Sequence, residues 1–377
     1  MITTGATSAG GGEKHALELA DGLVRRGHQV MLVAPGGGDV LDTAEALGCE
    51  TFALDSFAPF AISSRRRLGA LIEQWKPDLV HAHGPRSAYA VRRQASDGTV
   101  PLVYTIHGIH AGHGPLGSVK LAVERHDLGK VDAFIVTCKA DLEQGAELGI
   151  LNPERTTLIY NGVAEPVPIE NGLFRAEYGI DPDTLLIAHV GRISPPKDHP
   201  TLLRAFDTAW KRSPADAKPH FVMVAAGTPR QRDQLARKID CLTCKDAITL
   251  LPALDDLGPL YTDADIFVLS SLWEARPYVL VEAMQHACAV VSTDVGGVGE
   301  VVADGETGFL VPPQRPDLLA DALQSLRANP PLRALLAHAG QAFIADRFPL
   351  DTMVEQTIEV YRHVVTKPDS RPSGPHE

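Results

Sequence analysis

Two series of short apolar runs, separated by amphipathic stretches, constrain the fold of this chain more than any other feature. Runs of this kind are typical of buried parallel strands, and strands that alternate with helices form doubly wound sheets. The sequence therefore predicts an α/β fold with two Rossmann-like doubly wound domains. The first series is QVMLVAP (29–35), PDLVHAH (77–83), PLVYTIH (101–107) and DAFIVTC (132–138), and the second is LLIAHVG (185–191), HFVMVAAG (220–227), DIFVLSS (265–271) and AVVSTDVGG (289–297).

A segment rich in proline, glycine and asparagine separates the two series. This segment is NGVAEPVPIENG (161–172), and its composition is typical of a linker. A chain of 377 residues is also long enough for two hydrophobic cores. We expect domains over 1–165 and 166–349, then a last amphipathic helix and a disordered tail over 367–377.

Composition limits the partners and the location of the protein. The formal net charge is −12, which argues against nucleic acid as a partner because phosphate binding needs a basic face. No apolar run approaches the roughly 18 residues of a membrane-spanning helix. The first residues also lack a signal-peptide pattern, so a cytoplasmic location is expected. The basic triplet at 65–67 is either a solvated helix end or a contact with anionic lipid on the inner face of a membrane.

A glycine-rich stretch, GATSAGGGEKH (5–15), precedes the first predicted helix. It lacks the Lys-Ser/Thr pair of a P-loop, and His15 stands where a dinucleotide-binding fingerprint needs its third glycine. Backbone donors and the helix dipole at this position suit an anion. A tight strand-to-helix turn without a ligand is the alternative.

Two further pairs of charged residues occur in the second series. Arg192 and Lys197 follow a predicted strand and precede the next helix, where two cations suit a diphosphate. Two solvated loop cations are the alternative. Glu274 precedes a predicted helix with Pro277 in its first turn, and Glu282 lies within that helix. Carboxylates at these positions can accept hydrogen bonds from sugar hydroxyls.

Taken in order, these features resemble one large enzyme family. IYNGV (159–163) and DGETGFLVPP (304–313) complete the pattern, which covers about residues 5 to 365. The chain is identified as a member of the retaining nucleotide-sugar glycosyltransferases of the GT-B fold. These group 1, family 4-like enzymes include sucrose synthases and bacterial phosphatidylinositol mannosyltransferases. The resemblance implies two domains that face a central cleft, with a last helix over 350–366 crossing back to the first domain. The residues expected to pack there are Val354, Ile358, Tyr361 and Val365.

The resemblance also implies a reaction. A hexosyl unit would move from a UDP- or GDP-sugar to an acceptor hydroxyl with retention of anomeric configuration, in glycan, glycolipid or polysaccharide biosynthesis. The acceptor would be a glycan, a lipid-linked sugar or a small molecule. Fixed cations would stabilise the departing diphosphate, so no metal, no cofactor and no protein nucleophile are expected.

The same resemblance implies roles for individual residues. Arg192 and Lys197 would neutralise the diphosphate, and Glu274 would contact hydroxyls of the donor sugar. His107 would lie near the transferred sugar, and these four are the candidate catalytic residues. Glu282 would bind the ribose. The remaining donor contacts are expected at Gly11 and Gly12 in the first domain and at Pro252, Leu254, Tyr278 and Val279 in the second. The acceptor side is expected at His83, His110 and His113.

Alternative interpretations stay open at this point. Asp263 and Asp265 form a D-x-D that could bind a metal–nucleotide, although a turn before a strand is the preferred interpretation. A nucleotide-sugar 2-epimerase shares the architecture, and a two-domain sugar-binding protein is a non-catalytic alternative. The chain departs from the family where Ala275 and Arg276 follow the first glutamate, which bears on the choice of donor. A metal site is the alternative for the histidines at His81, His83, His107, His110 and His113.

Overall fold

The computed structural model describes residues 1–6, 10–55, 57, 62–92, 100–109, 117–126 and 128–366 of the chain. By its internal contacts the chain divides into two compact units. The first is Met1–Gly162 together with the chain from Leu350 onward, and the second is Val163–Pro349. Both units contain parallel sheets connected through helices, which confirms the predicted α/β fold class.

The first unit is built on parallel strands that are connected by helices. Its strands are β1 (Met31–Pro35), β2 (Glu50–Leu54), β3 (Val80–His83), β4 (Leu102–Ile106), β5 (Ala133–Val136) and β6 (Thr156–Leu158). Its helices are α1 (Gly11–Arg25), α2 (Val40–Ala46), α3 (Ile62–Trp75), α4 (Pro85–Arg92), α5 (Gly117–Arg125), α6 (Lys139–Glu147) and α14 (Leu350–Thr366). The pairing orders are β1–β2 and β3–β4–β5–β6, all parallel.

Ile2 joins these two parts of the first sheet. It forms parallel bridges to Val33 of β1 and to Ala82 of β3. The Ile2 amide donates to the His81 carbonyl at 2.9 Å, and the His83 amide donates to the Ile2 carbonyl at 2.9 Å. The few residues before the glycine-rich stretch therefore lie at the centre of the sheet.

The second unit is a doubly wound sheet with a single continuous order, β12–β11–β10–β7–β8–β9. Its strands are β7 (Leu186–Arg192), β8 (His220–Ala226), β9 (Ile248–Leu251), β10 (Ile266–Leu269), β11 (Ala289–Thr293) and β12 (Phe309–Val311). Its helices are α7 (Leu173–Tyr178), α8 (His199–Arg212), α9 (Pro229–Asp240), α10 (Gly258–Asp263), α11 (Tyr278–Gln285), α12 (Pro316–Ala328) and α13 (Pro330–Arg347). The inner strands β8, β10 and β11 are almost entirely buried, as expected for parallel strands covered on both faces, and the edge strands β9 and β12 are mostly half-buried.

The last helix, α14, packs in the first unit, as predicted. Val354 and Ile358 are buried in a core cluster of that unit, and Tyr361 packs against the same cluster. Gly22 of α1 lies directly beneath Val354, since a Cβ there would be 2.4 Å from a Val354 methyl group. The prediction for Val365 is wrong, because this side chain is 46% exposed. It lies in the last turn, toward the edge of the buried face of the helix.

None of the helices in the described ranges is long and apolar enough to cross a bilayer.

Candidate active site

Thr3, Gly5 and Gly10 surround a carboxylate of the protein itself. Glu13, in the first turn of α1, accepts hydrogen bonds from the Thr3 hydroxyl at 2.9 Å and the Gly5 amide at 2.8 Å. A Cβ on Gly5 or Gly10 would lie within 2.3 Å of this side chain, so a larger residue at either position would displace the Glu13 carboxylate. The stretch therefore contains an anion that sequence reasoning did not anticipate. The sequence indicated this anion only through the position of Glu13, three residues after the N-cap Gly10. Acidic residues are favourable in the first turn of a helix.

The two glycines predicted to approach the donor are the first two residues of α1. Gly11 is the exposed first residue of α1 and Gly12 is half-buried. A Cβ on Gly12 would be 3.3 Å from His107 Cδ2, a tight contact. The structure therefore brings Gly12 and His107 together, two residues that are about 95 positions apart in the sequence.

His107 belongs to a cluster of histidines at the carboxyl ends of β3 and β4. His83 Nδ1 and His107 Nε2 are 3.1 Å apart and hydrogen-bonded. His15 of α1 joins them, and its Nδ1 lies 3.0 Å from Asn161 Oδ1. His15 and Asn161 were not predicted as site residues, because only the fold brings them to β3 and β4.

Burial sets the protonation of this cluster. Loss of solvation lowers the pKa of His15 to about 4. It also lowers the pKa values of His81, His83 and His107 well below their ordinary range, with further repulsion between the imidazoles. All four rings are therefore neutral at pH 7. The predicted residues His110 and His113 lie outside the described residues.

His81 differs from the other three histidines because neighbours occupy both of its ring nitrogens. Its Nδ1 is 2.6 Å from the Tyr361 hydroxyl, and its Nε2 is 2.6 Å from the Thr105 hydroxyl. Tyr361 comes from α14, so the last helix contributes directly to the support of this cluster. The role of His81 is therefore to hold the cluster in place.

In the second unit, Lys197 and Glu274 form an ion pair. Lys197 ends a short helical turn, Pro195–Lys197, and its Nζ is 2.5 Å from Glu274 Oε1. The two side chains are only 14% and 12% exposed. The Ser271 hydroxyl donates to the same Oε1 at 2.6 Å. Sequence reasoning assigned the lysine and the glutamate to different parts of the donor, whereas the structure places them in direct contact.

Close backbone contacts hold the Glu274 loop. The Leu272 amide donates to the Pro196 carbonyl at 2.7 Å, which joins this loop to the turn that contains Lys197. Gly296 has φ +53°, and a Cβ there would be 1.9 Å from the Glu274 carbonyl oxygen. The Gly297 amide donates to that same oxygen at 3.2 Å. The glycines after β11 therefore position Glu274 through its backbone.

Arg192 is the last residue of β7 and does not lie in the following loop. It pairs with Ala226 of β8, and its side chain is exposed. The guanidinium forms no hydrogen bond or ion pair with any other described residue. Arg192 is therefore a solvated cation at the carboxyl end of a strand, where ligands of such sheets commonly bind.

The remaining predicted donor residues lie on α11 and after β9. Tyr278 is the buried first residue of α11, and Val279 follows it half-buried. Glu282 lies in the same helix, and its Oε2 accepts a hydrogen bond from the Tyr261 hydroxyl at 3.1 Å. Pro252 and Leu254 follow β9 in an exposed segment, Pro252 exposed and Leu254 half-buried.

Arg276, two residues after Glu274, is buried although arginine is normally exposed. Only 5% of the residue is accessible. Its guanidinium lies 3.6 Å from the centroid of the Phe348 ring, a cation–π contact. The Phe348 carbonyl accepts a hydrogen bond from the Val163 amide at 3.0 Å. These two residues lie at the two boundaries of the second unit. The departure at Arg276 therefore has a structural role that the sequence did not reveal.

Two other candidate features have structural explanations. Asp263 accepts hydrogen bonds from the backbone amides of Gly172 at 2.5 Å and Arg175 at 2.9 Å, at the start of α7. Asp265 pairs with Arg175 at 3.0 Å and with Arg333 at 3.4 Å. These contacts agree with the interpretation of the D-x-D as a turn before β10.

The basic triplet lies in the first turns of α3. Arg67 pairs with Asp55 at 2.8 Å and lies over the Phe52 ring at 5.4 Å. Arg66 is exposed and Arg65 half-buried. Arg67 of the triplet therefore forms an ion pair at the surface of its own unit.

Both halves of the chain match known protein families. Residues 171–343 match the family described as Glycosyl transferases group 1, and residues 9–165 match Glycosyltransferase Family 4. The chain is 27% identical over 396 residues to D-inositol 3-phosphate glycosyltransferase of Rhodococcus erythropolis, covering 96% of this chain and 88% of the relative. It is 33% identical over 233 residues to alpha-maltose-1-phosphate synthase of Mycobacterium tuberculosis, covering 57% of this chain and 58% of the relative.

Solved structures share the fold at lower identity. Anabaena HepE, in complex with UDP and glucose, superposes with a TM-score of 0.84 at 21% identity, covering 96% of this chain and 98% of HepE. WaaG, a glycosyltransferase involved in lipopolysaccharide biosynthesis, superposes with a TM-score of 0.74 at 18% identity, covering 97% of this chain and 100% of WaaG.

Proposed function

Because this chain belongs to the group 1 glycosyltransferases of the GT-B fold, we propose that its donor is a nucleoside-diphosphate sugar, UDP- or GDP-linked. A hexosyl unit passes to an acceptor hydroxyl with retention of anomeric configuration. The observation that carries the proposal is the Lys197–Glu274 pair, which places a cation and a carboxylate within 2.5 Å of each other in a fixed loop. The structural neighbour HepE, solved with UDP and glucose, supports this donor class.

Lys197 and Arg192 supply the positive charge for the leaving group. Departure of a diphosphate concentrates negative charge on its oxygens, and fixed cations stabilise that charge. The Lys197 ammonium has three N–H donors, so it can keep Glu274 and still reach a phosphate oxygen. Arg192 presents a free planar fork suited to the same group. These two cations take the place of a metal ion, and the reaction is metal-independent.

Glu274 contacts the donor sugar with its second oxygen. Oε1 is held by Lys197 and Ser271, whereas Oε2 accepts no hydrogen bond from the described residues. A carboxylate oxygen with free lone pairs accepts readily from sugar hydroxyls. Glu282 is the candidate for the ribose, and the segment with Pro252 and Leu254 borders the base.

His107 acts near the transferred sugar as a neutral group. Burial keeps the pKa of His107 well below its ordinary range. A neutral imidazole can hydrogen-bond a hydroxyl without adding positive charge beside an oxocarbenium-like sugar. His83 is buried and bonded to His107, so its part is to hold that ring.

The proposal is tested by donor binding followed by transfer. A thermal-shift panel of nucleoside diphosphates and nucleotide sugars identifies the donor, because bound ligand raises the apparent stability. Transfer to simple acceptors, with the product's anomeric configuration assigned by NMR, then tests retention. Lys197→Ala lowers turnover by roughly 10²-fold or more. Lys211→Ala, which removes a surface lysine of the same unit, is the matched control.

Three results contradict the proposal. Isomerisation of the donor without any transfer product indicates the 2-epimerase. Stabilisation by free sugar alone, with no response to nucleotides, indicates the sugar-binding protein. Inversion at the anomeric carbon excludes the retaining reaction.

A further inference from the structure

Three histidines of the first unit converge from three different elements. His15 comes from α1, His83 ends β3, and His107 follows β4. One nitrogen from each lies within 4.8 Å of the other two. The ring centroids are 4.8 Å apart for His15–His107, and 5.4 Å apart both for His15–His83 and for His83–His107.

The ring-centroid separations are close to those of a tetrahedral zinc site, whereas the nitrogens, within 4.8 Å of one another, are farther apart than in a formed site. With Zn–N bonds of about 2.05 Å, two imidazole ligands have nitrogens about 3.4 Å apart and ring centroids about 5.2 Å apart. The His83 Nδ1 to His107 Nε2 distance of 3.1 Å is already close to the first value. All three centroid distances are close to the second. Small ring rotations would therefore bring three nitrogens onto one ion.

Hydrogen bonding leaves this cluster incomplete. His83 Nε2 is buried and has no hydrogen-bond partner among the described residues, so no second contact decides whether the proton of His83 lies on Nε2 or on the Nδ1 that faces His107. Asn161 orients His15. When His15 Nδ1–H donates to Asn161 Oδ1, the Nε2 atom carries the lone pair that can bind an ion. Such an outer partner is typical of a metal-binding histidine.

We propose that His15, His83 and His107 form a binding site for a zinc-class divalent transition-metal ion. Imidazole suits these ions, and the neutral form that burial favours is the form that binds. Three protein ligands leave the fourth position for water, so the site is open. His81 supports it without binding the ion, because neighbours already occupy both of its nitrogens.

The ion is not required for sugar transfer. If the proposed function is correct, the ion competes with the sugar hydroxyl for His107 Nε2, the nitrogen that faces the cluster, so the ion acts as an inhibitor. This consequence rests on the proposed function, whereas the metal site itself does not. Binding is therefore measured without donor or acceptor.

The test is cobalt titration of the full chain, followed by visible absorption. Four-coordinate Co²⁺ gives intense visible bands, six-coordinate Co²⁺ gives weak ones, and thiolate ligation adds a near-ultraviolet charge-transfer band. We expect one equivalent of Co²⁺ with intense bands, no thiolate band, and displacement by one equivalent of Zn²⁺. The His107→Ala variant should lose at least about tenfold in affinity, since it lacks one of three ligands. His28→Ala, which removes an exposed histidine of the same unit, should bind like the wild type.

A second measurement covers the case in which a variant is destabilised. Zn²⁺ should raise the melting temperature of the wild type and of His28→Ala, but not that of His107→Ala. Weak six-coordinate bands, a thiolate band from one of the five free cysteines, or equal affinity in His107→Ala would overturn the site. Sugar transfer that survives saturating Zn²⁺ on an intact three-histidine site would instead contradict the proposed role of His107.

Discussion

Substitutions at Lys197 and Glu274 should have non-additive effects on the free energy of unfolding. A second substitution at Glu274 should not restore the turnover that is lost with Lys197. Breaking a fully buried ion pair costs about 3–5 kcal/mol, and an exposed one about 0–1 kcal/mol. The Lys197 and Glu274 side chains are 14% and 12% exposed and 2.5 Å apart, which places them between these limits. We expect Lys197→Met to lower the free energy of unfolding by about 2 kcal/mol, because Glu274 is left as a partly buried charge without its partner.

The double variant separates the two effects. Lys197→Met with Glu274→Gln should recover about 1–2 kcal/mol relative to the sum of the single variants, because the isolated charge is gone. Turnover should not recover, since the cation that we propose for the departing diphosphate is still missing. We expect kcat to stay at least about 10²-fold below the wild type, equivalent to about 2.7 kcal/mol.

The assay is denaturant unfolding of the wild type, both single variants and the double variant, alongside donor turnover. Arg212→Ala is the control, because Arg212 and Asp321 are 51% and 60% exposed and their ion pair should contribute less than about 1 kcal/mol. Strict additivity of the two single variants would refute the coupling. Recovery of turnover in the double variant would refute the catalytic role of Lys197.

Four further outcomes are expected. Turnover should persist in EDTA, and a loss that Mn²⁺ or Mg²⁺ restores would contradict metal-independence. Glu282→Ala should mainly raise the dissociation constant of the nucleotide, measured by calorimetry, and a variant impaired only in kcat would contradict ribose binding. Gly22→Ala should lower the melting temperature through a cost of about 1–3 kcal/mol, because its methyl group would meet Val354. Burial lowers the pKa of His189 to about 3, below the unfolded value near 6.5. The fall in stability from pH 7 to 4.5 should therefore be about 2–3 kcal/mol smaller in His189→Phe than in the wild type, although the other buried histidines make both proteins less stable in acid, and parallel pH profiles would contradict this reason.

The parallel strands and the helix boundaries near Glu274 were predictable because their signals are local. Buried parallel strands need continuous apolar runs, and such runs mark β7, β8, β10 and β11 in the sequence. Pro277 correctly indicated a helix start, with Glu274 before it and Glu282 within it. The face of α14 was also readable from its 3.6-residue period, except at Val365, where the helix reaches its last turn.

Contacts between distant segments were not predictable in the same way. Nothing near Lys197 in the chain indicates that Glu274 is its partner, 77 positions away. Glu13 reads as an ordinary first-turn acid until the fold places Thr3 and Gly5 around it. Arg276 reads as an exposed cation until α13 brings the Phe348 ring over it.

The sequence by itself determined the elements of this protein, because apolar periodicity, proline and glycine act within a few residues of the backbone. It also placed Lys197 and Glu274 shortly before helices and Glu282 within one. Only the tertiary structure decided which side chains meet and which ionic form they take. Parallel strands bring loops from distant parts of the chain to one edge, and burial at that edge lowers the pKa values of His15, His83 and His107. Both the Lys197–Glu274 pair and the neutral histidine cluster arise in this way.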